Sequence, residues 1–189
     1  THAKPDSACQ GSGSMRDSQY QVVVVGAGPA GSITAYRLAT AGVRVLLLDA
    51  KKFPREKPCG GGIQHRAYQR IPFDWQGVVH STLQNVSISF NFRERFTRAY
   101  SLPLVHSVLR REFDQHLLSG ARAAGADVLE GVRVNSCSPC ADGGVEIATD
   151  SGPFFGEIAV GADGANSVLA RSLNQRADYF WQAAIYCEV

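Results

Sequence analysis

The chain has 189 residues, 44% of them hydrophobic and 19% charged, a globular composition that excludes a disordered or fibrous protein. Its formal net charge is +2 and no block of like charge reaches five residues, so nothing points to nucleic acid. The longest purely apolar runs, 22–25 and 45–48, are too short to cross a bilayer.

Residues 1–14 lack apolar periodicity and end in a Gly/Ser stretch before Met15. They read as a vector-derived leader or disordered tail, with Met15 as the natural start and no role for Cys9. The other cysteines are Cys59, Cys137, Cys140 and Cys187. An odd count, uneven spacing and no secretory signal argue against a disulfide framework. The expected compartment is reducing and cytoplasmic, which is compatible with peripheral contact with a membrane.

Order begins at Tyr20. The run Tyr20-Gln21-Val22-Val23-Val24-Val25 is β-branched and continuous, the pattern of a strand buried on both faces. It runs into Gly26-Ala27-Gly28-Pro29-Ala30-Gly31. A helix is predicted over 29–41, with Gly42 as its stop. A second apolar strand over 43–48 ends in Asp49, completing a βαβ unit. Residues 50–62 form a polar loop, and 63–70 a short helix. Val86, Ile88, Phe90 and Phe92 alternate with polar residues, predicting an antiparallel hairpin over 78–100. An amphipathic helix is expected over 110–124, with Leu109, Phe113, Leu117 and Leu118 on one face and Gly125 as its cap. Short strands follow at 127–129, 132–136 and 145–149. An apolar strand over 154–160 leads to Gly161-Ala162-Asp163-Gly164, then a helix over 166–173. The chain stops inside a strand-like stretch, 179–189, which reads as truncation.

The glycine motif sits where it has chemical meaning. Gly26 permits the tight turn, Gly28 a close approach of backbone to a pyrophosphate, and Gly31 close packing of the helix. The helix N-terminus, with Pro29 and Ala30 in its first turn, offers free N–H groups and partial positive charge to a diphosphate. Asp49, eighteen residues after Gly31, can accept two hydrogen bonds from a ribose diol. Ala50 and Lys51 follow it at the same strand end. This motif alone does not separate FAD from NAD. A second Gly-rich turn, with Asp163 poised for a hydroxyl-bearing group, suits a long cofactor; the same aspartate also suits an ordinary turn.

Taken together, GAGPAG, the acid after the second strand, an Arg at the head of the middle helix and GADGANS resemble the flavoprotein monooxygenase and reductase superfamily. The resemblance implies FAD, with Asp163 on flavin-side hydroxyls and Arg110 (three before Phe113-Asp114) in contact with the cofactor. It also implies that Val134 meets adenine through its backbone. Lys57-Pro58-Cys59-Gly60-Gly61-Gly62-Ile63 resembles the corresponding segment of the geranylgeranyl reductase family, which saturates isoprenoid double bonds. There this segment lies beside the flavin ring, where three glycines let backbone lie flat against a plane. Cys59 then shapes the pocket or assists proton delivery; the other reading is a loop cysteine that packs.

The remaining motifs carry less. Cys137-Ser138-Pro139-Cys140 lies in a strand–turn segment without a second matching pair, so neither metal nor redox chemistry is expected. His65, His80, His106 and His116 read as surface or packing residues. Lys51, Lys52, Arg55 and Lys57 form a basic loop that suits phosphates of FAD, of NADPH or of a prenyl diphosphate, and equally a solvated loop. Arg93, Arg95 and Arg98 read as a solvated hairpin edge.

The expected fold class is α/β: a Rossmann-like, FAD-binding parallel sheet flanked by helices, with an antiparallel hairpin insertion and a largely missing substrate domain. The FAD-binding domain is placed at 15–176, its insertion at 78–104, and the start of a substrate domain at 177–189. The resemblance implies FAD-dependent reduction of an isoprenoid, or another hydrophobic small molecule, by hydride from reduced flavin, with NAD(P)H or another reductant as donor. Alternatives are an aromatic or polyketide monooxygenase or halogenase-like enzyme, and a non-catalytic FAD-binding fragment.

Overall fold

Strand β1 (Tyr20–Val25) is third in a six-stranded sheet ordered β8 (Asp127–Glu130), β2 (Val45–Asp49), β1, β11 (Gly152–Gly161), β10 (Val145–Thr149) and β9 (Val134–Pro139). The computed structural model describes residues 20–141 and 143–175. The leader, Cys9, Met15, Cys187 and the stretch at 179–189 lie outside the described residues.

Strands β1, β2 (Val45–Asp49), β8 (Asp127–Glu130) and β11 (Gly152–Gly161) run parallel. Continuous apolar runs were needed because alternate residues of β1 and β2 enter two different cores. Val23, Val25, Leu46 and Leu48 pack on one face with Ile147 and Leu169. Val22, Val24, Val45 and Leu47 pack on the other with Ala35, Leu118 and Ala121. Helix α1 (Pro29–Thr40) supplies Ala35, and α3 (Arg110–Ala123) supplies Leu118 and Ala121. The sheet is not wholly parallel: β9 (Val134–Pro139) and β10 (Val145–Thr149) join β11 as an antiparallel meander.

The chain divides into two compact units, 20–53 with 117–175, and 54–116. In the second, the residues read as one short helix begin as a strand. β3 (Gly62–Gln64) precedes the single turn α2 (His65–Tyr68). β3 and β4 (Ser81–Leu83) both pair with β7 (Val105–Ser107), a strand that periodicity over three residues could not reveal. The expected hairpin is β5 (Asn85–Phe90) with β6 (Glu94–Ala99). Its turn is closed by the Arg93 N–H donating to the Phe90 carbonyl at 3.1 Å. Asn91 and Phe92 both sit in the left-handed region, at φ 48° and 58°.

His106 on β7 is buried against Tyr68 (ring centroids 4.4 Å apart) and Trp75 (5.8 Å). Its Nδ1 lies 3.0 Å from the Thr82 hydroxyl. Burial, with His65 nearby, pushes its pKa below the ordinary 6.5. The unfolded chain therefore binds a proton more readily there. The stability contributed by neutral His106 is present above pH 6.5 and lost as pH falls toward the depressed folded value. Urea midpoints measured across the mildly acidic range should drop on acidification, and His106→Gln should flatten that slope; parallel slopes would refute the assignment.

Candidate functional site

The site of the first unit forms where chain order reverses across the sheet, with β2 on one side of β1 and β11 on the other. Parallel sheets bind ligands outside their strand C-termini at such a switch point. Here a cavity of about 190 Å³ is lined by Gly26, Asp49, Ala50, Val134 and Asp163, all anticipated from sequence. Arg133 and Val132, which the sequence did not single out, complete it with Val25, Leu48 and Val168. The only sequence signal for Arg133 was its place beside Val134.

The two glycine-rich loops interlock. A Cβ on Gly26 (φ +99°) would fall 2.5 Å from the Ala162 carbonyl oxygen and 2.8 Å from the Asp163 Cα. One on Gly31 would fall 1.8 Å from the Gly26 oxygen. The Ala162 N–H donates to the Val25 carbonyl at 2.7 Å. Gly31 is therefore required by the loop itself as well as by helix packing. At α1, Gly28 is the N-cap with no side-chain cap and Pro29 opens the helix without an acid in the first turn. The first N–H groups keep their capacity for an anion.

Asp49 does more than await a ribose. Its Oδ2 accepts from the Ala27 N–H and its Oδ1 from the Lys51 N–H, both at 2.8 Å. It thereby ties the glycine loop to the end of β2, and the carboxylate retains further lone pairs for a ligand. Asp163 makes the contact of the turn reading directly. Its Oδ2 accepts from the Val168 N–H at 2.6 Å, at the start of α4 (Val168–Ser172), as a turn aspartate would. Its Oδ1 is buried without a hydrogen-bond partner. A buried unpaired acceptor is costly unless a ligand donor meets it. Gly161 and Gly164, flanking this turn, do not line the cavity; Gly164 takes φ +81°, which favours glycine.

An FAD-type dinucleotide fits these residues: an uncapped helix start for its diphosphate, carboxylates for its hydroxyls, and at Asp163 a buried acceptor without a partner. Asp163→Asn replaces that acceptor while keeping the side chain's shape. It should weaken FAD affinity by roughly tenfold in a fluorescence titration, the worth of a charge-assisted hydrogen bond. Unchanged affinity would remove Asp163 from the site.

The second unit holds Cys59, Gly60, Gly61, Gly62 and Arg110. Arg110 grips the fully buried Asp114 with two bonds of 2.8 Å, through Nε and Nη2. Arg55 reaches the same carboxylate at 3.2 Å. The three glycines differ in role. Gly61 (φ +65°) presses on the Val108 carbonyl, where a Cβ would lie at 2.0 Å. Gly62 packs against Val105, and only Gly60 faces open space. Flat approach of a ring is thus open at Gly60, while Gly61 and Gly62 serve packing. The exposed Cys59 thiol is held below the ordinary 9.0, first by the Gly61 backbone N–H and then by Arg110. Alkylation by iodoacetamide should therefore have a midpoint below that of a free thiol, and Arg110→Gln should raise it. An unmoved midpoint would detach Arg110 from Cys59.

Elsewhere, Cys137 is buried in the core and its thiol is pushed up by that burial, as suits a structural residue. His80 meets Glu112 and His116 the Asp74 carbonyl. Among the described residues no helix is long and apolar enough to cross a membrane.

Fold and first site together define a dinucleotide-binding α/β domain. Residues 19–182 match the FAD binding domain family, and the chain belongs to that family. Its cofactor is accordingly FAD. The chain is 34% identical to an uncharacterised protein of Methanosarcina barkeri, over 90% of this chain and 44% of that one. It is 34% identical to menaquinone reductase of Mycolicibacterium smegmatis, over 84% of this chain and 41% of that one. It thus spans about two-fifths of the length of these curated relatives. Among solved structures it resembles a geranylgeranyl bacteriochlorophyll reductase-like protein of Thermoplasma acidophilum (TM-score 0.71, 21% identity, 82% of this chain and 41% of that one). A halogenase and an aromatic hydroxylase share the fold at TM-scores of 0.67 and 0.61, so fold alone does not select the chemistry.

Proposed function

We propose that this chain is the FAD-binding part of an oxidoreductase that saturates carbon–carbon double bonds of an isoprenoid or a similarly hydrophobic small molecule, with NAD(P)H or another reductant as electron donor. The observation that carries the reading is the Cys59–Gly62 segment, with its acidified thiol beside Arg110. A relative named menaquinone reductase supports reductive chemistry, and the fold shared with a geranylgeranyl bacteriochlorophyll reductase-like protein is compatible with it.

Bound FAD supplies the two-electron reduction chemistry. The chain's own residues bind and orient. The start of α1 holds a diphosphate, and Asp49 and Asp163 accept from hydroxyls. Cys59 carries a proton at Sγ that leaves more readily than from an ordinary thiol. Saturating a double bond requires one such proton at carbon. The Gly61 backbone N–H lowers the Cys59 pKa most, and Arg110, held by Asp114, lowers it further.

The test loads the chain, and any longer protein containing it, with FAD under argon. Chemical reductant, NADH and NADPH are compared as donors, and a geranylgeranyl lipid and menaquinone as acceptors. Mass spectrometry should show gain of hydrogen pairs. Incorporation of labelled oxygen after admitting air would favour a monooxygenase and overturn the reading.

A further inference from the structure

We propose that the β5–β6 hairpin is a membrane-docking element whose tip enters the surface of a bilayer containing anionic phospholipid. The two strands pair only with each other among the described residues. One face aligns Ile88 with Phe96 and places Phe90 toward the tip. These side chains are exposed, Phe90 by 71% and Phe92, on the turn, by 100%. Contiguous exposed apolar surface of this kind marks an interaction site.

The turn sharpens the point. Phe92 occupies the left-handed backbone region at φ 58°, where Asn and Gly are at ease and an aromatic is strained. No packing among the described residues offsets that strain. An aromatic held in this way is suited to meeting an apolar phase.

Charge selects the partner. Arg93, Arg95 and Arg98 stand on this short segment against Glu94 alone. Arg95 lines a shallow groove with Ser87, Ile88, Ser89 and Phe92. That places phosphate-binding donors beside a ring able to sit below the headgroups, the arrangement of interfacial elements. A protein interface is depleted of charge at its centre. Edge pairing with a second copy through β6 would bring its arginines together. An anionic lipid surface satisfies both the rings and the arginines.

Binding is read without turnover, so its outcome is separate from the reductase reading. The purified chain is sedimented with vesicles of phosphatidylcholine alone or mixed with phosphatidylglycerol, at low and high salt. Partition onto the mixed vesicles and release by salt are expected. Phe92→Asn, which suits the turn, should cut partition several-fold while leaving thermal unfolding unchanged or improved. R93Q/R95Q should cut it by roughly tenfold or more. Absence of partition, or partition unmoved by both variants, overturns the proposal. So does a dimer in sedimentation velocity that Phe92→Asn dissociates while vesicle binding is unaffected, which would make the hairpin a contact between copies.

Discussion

Gly31→Ala is expected to lower the thermal midpoint by roughly 10 °C and to abolish flavin retention. The added methyl group would sit 1.8 Å from the Gly26 carbonyl oxygen and 3.2 Å from the Ala162 Cβ. Both neighbours belong to the interlocked loops, so relief requires moving backbone. Overpacking of this kind costs about 3 kcal/mol when rigid groups must shift. The same shift displaces the helix start that holds a diphosphate. Gly77→Ala is the matched control, since nothing lies within 4 Å of its Cβ position and it lies outside the candidate site. Calorimetry of the two variants should separate them, and a Gly31→Ala protein with wild-type midpoint and flavin content would refute the interlock.

Asp114→Ala should cost about 3–5 kcal/mol in urea unfolding, because it leaves guanidinium groups largely removed from water without their counter-charge. Asp114 is wholly buried, and Arg55 and Arg110 have side chains only 15% exposed. A second readout distinguishes this from a generic core defect. Asp114 raises the Cys59 thiol pKa while Arg110 lowers it. Removing the carboxylate should therefore move the Cys59 alkylation midpoint further down. A loss below about 1 kcal/mol with an unmoved midpoint would contradict the cluster's role.

The parts legible in sequence were those written in local pattern. The continuous run at β1, the glycine loop and the acid ending β2 announced a βαβ nucleotide fold, and α1 ends at Thr40, one residue short of the helix expected over 29–41. The parts that were not legible depend on distant partners. An aspartate directly after Phe113 in an amphipathic helix carries no local signal of burial; Asp114 is buried because Arg55 and Arg110 converge on it. The second bonds of Asp49 needed the geometry of the loop at Ala27. The triple glycine looked like one device, yet Gly61 serves the turn before α3 and Gly62 opens β3. Strands of three residues, such as β7, are too short for a period to register. The roles assigned to Cys59, Arg110 and Val134 came from family resemblance. Of these, Val134 lines the cavity, while Arg110 is engaged with Asp114 and Cys59.

The central claim is that the cavity bounded by Gly26, Asp49, Val134 and Asp163 holds FAD. The most direct test is the absorbance spectrum of the purified chain after incubation with FAD and desalting. Retained flavin bands near one equivalent, lost in Asp163→Asn, are the expected result. A cooperatively folded but colourless chain would contradict the claim.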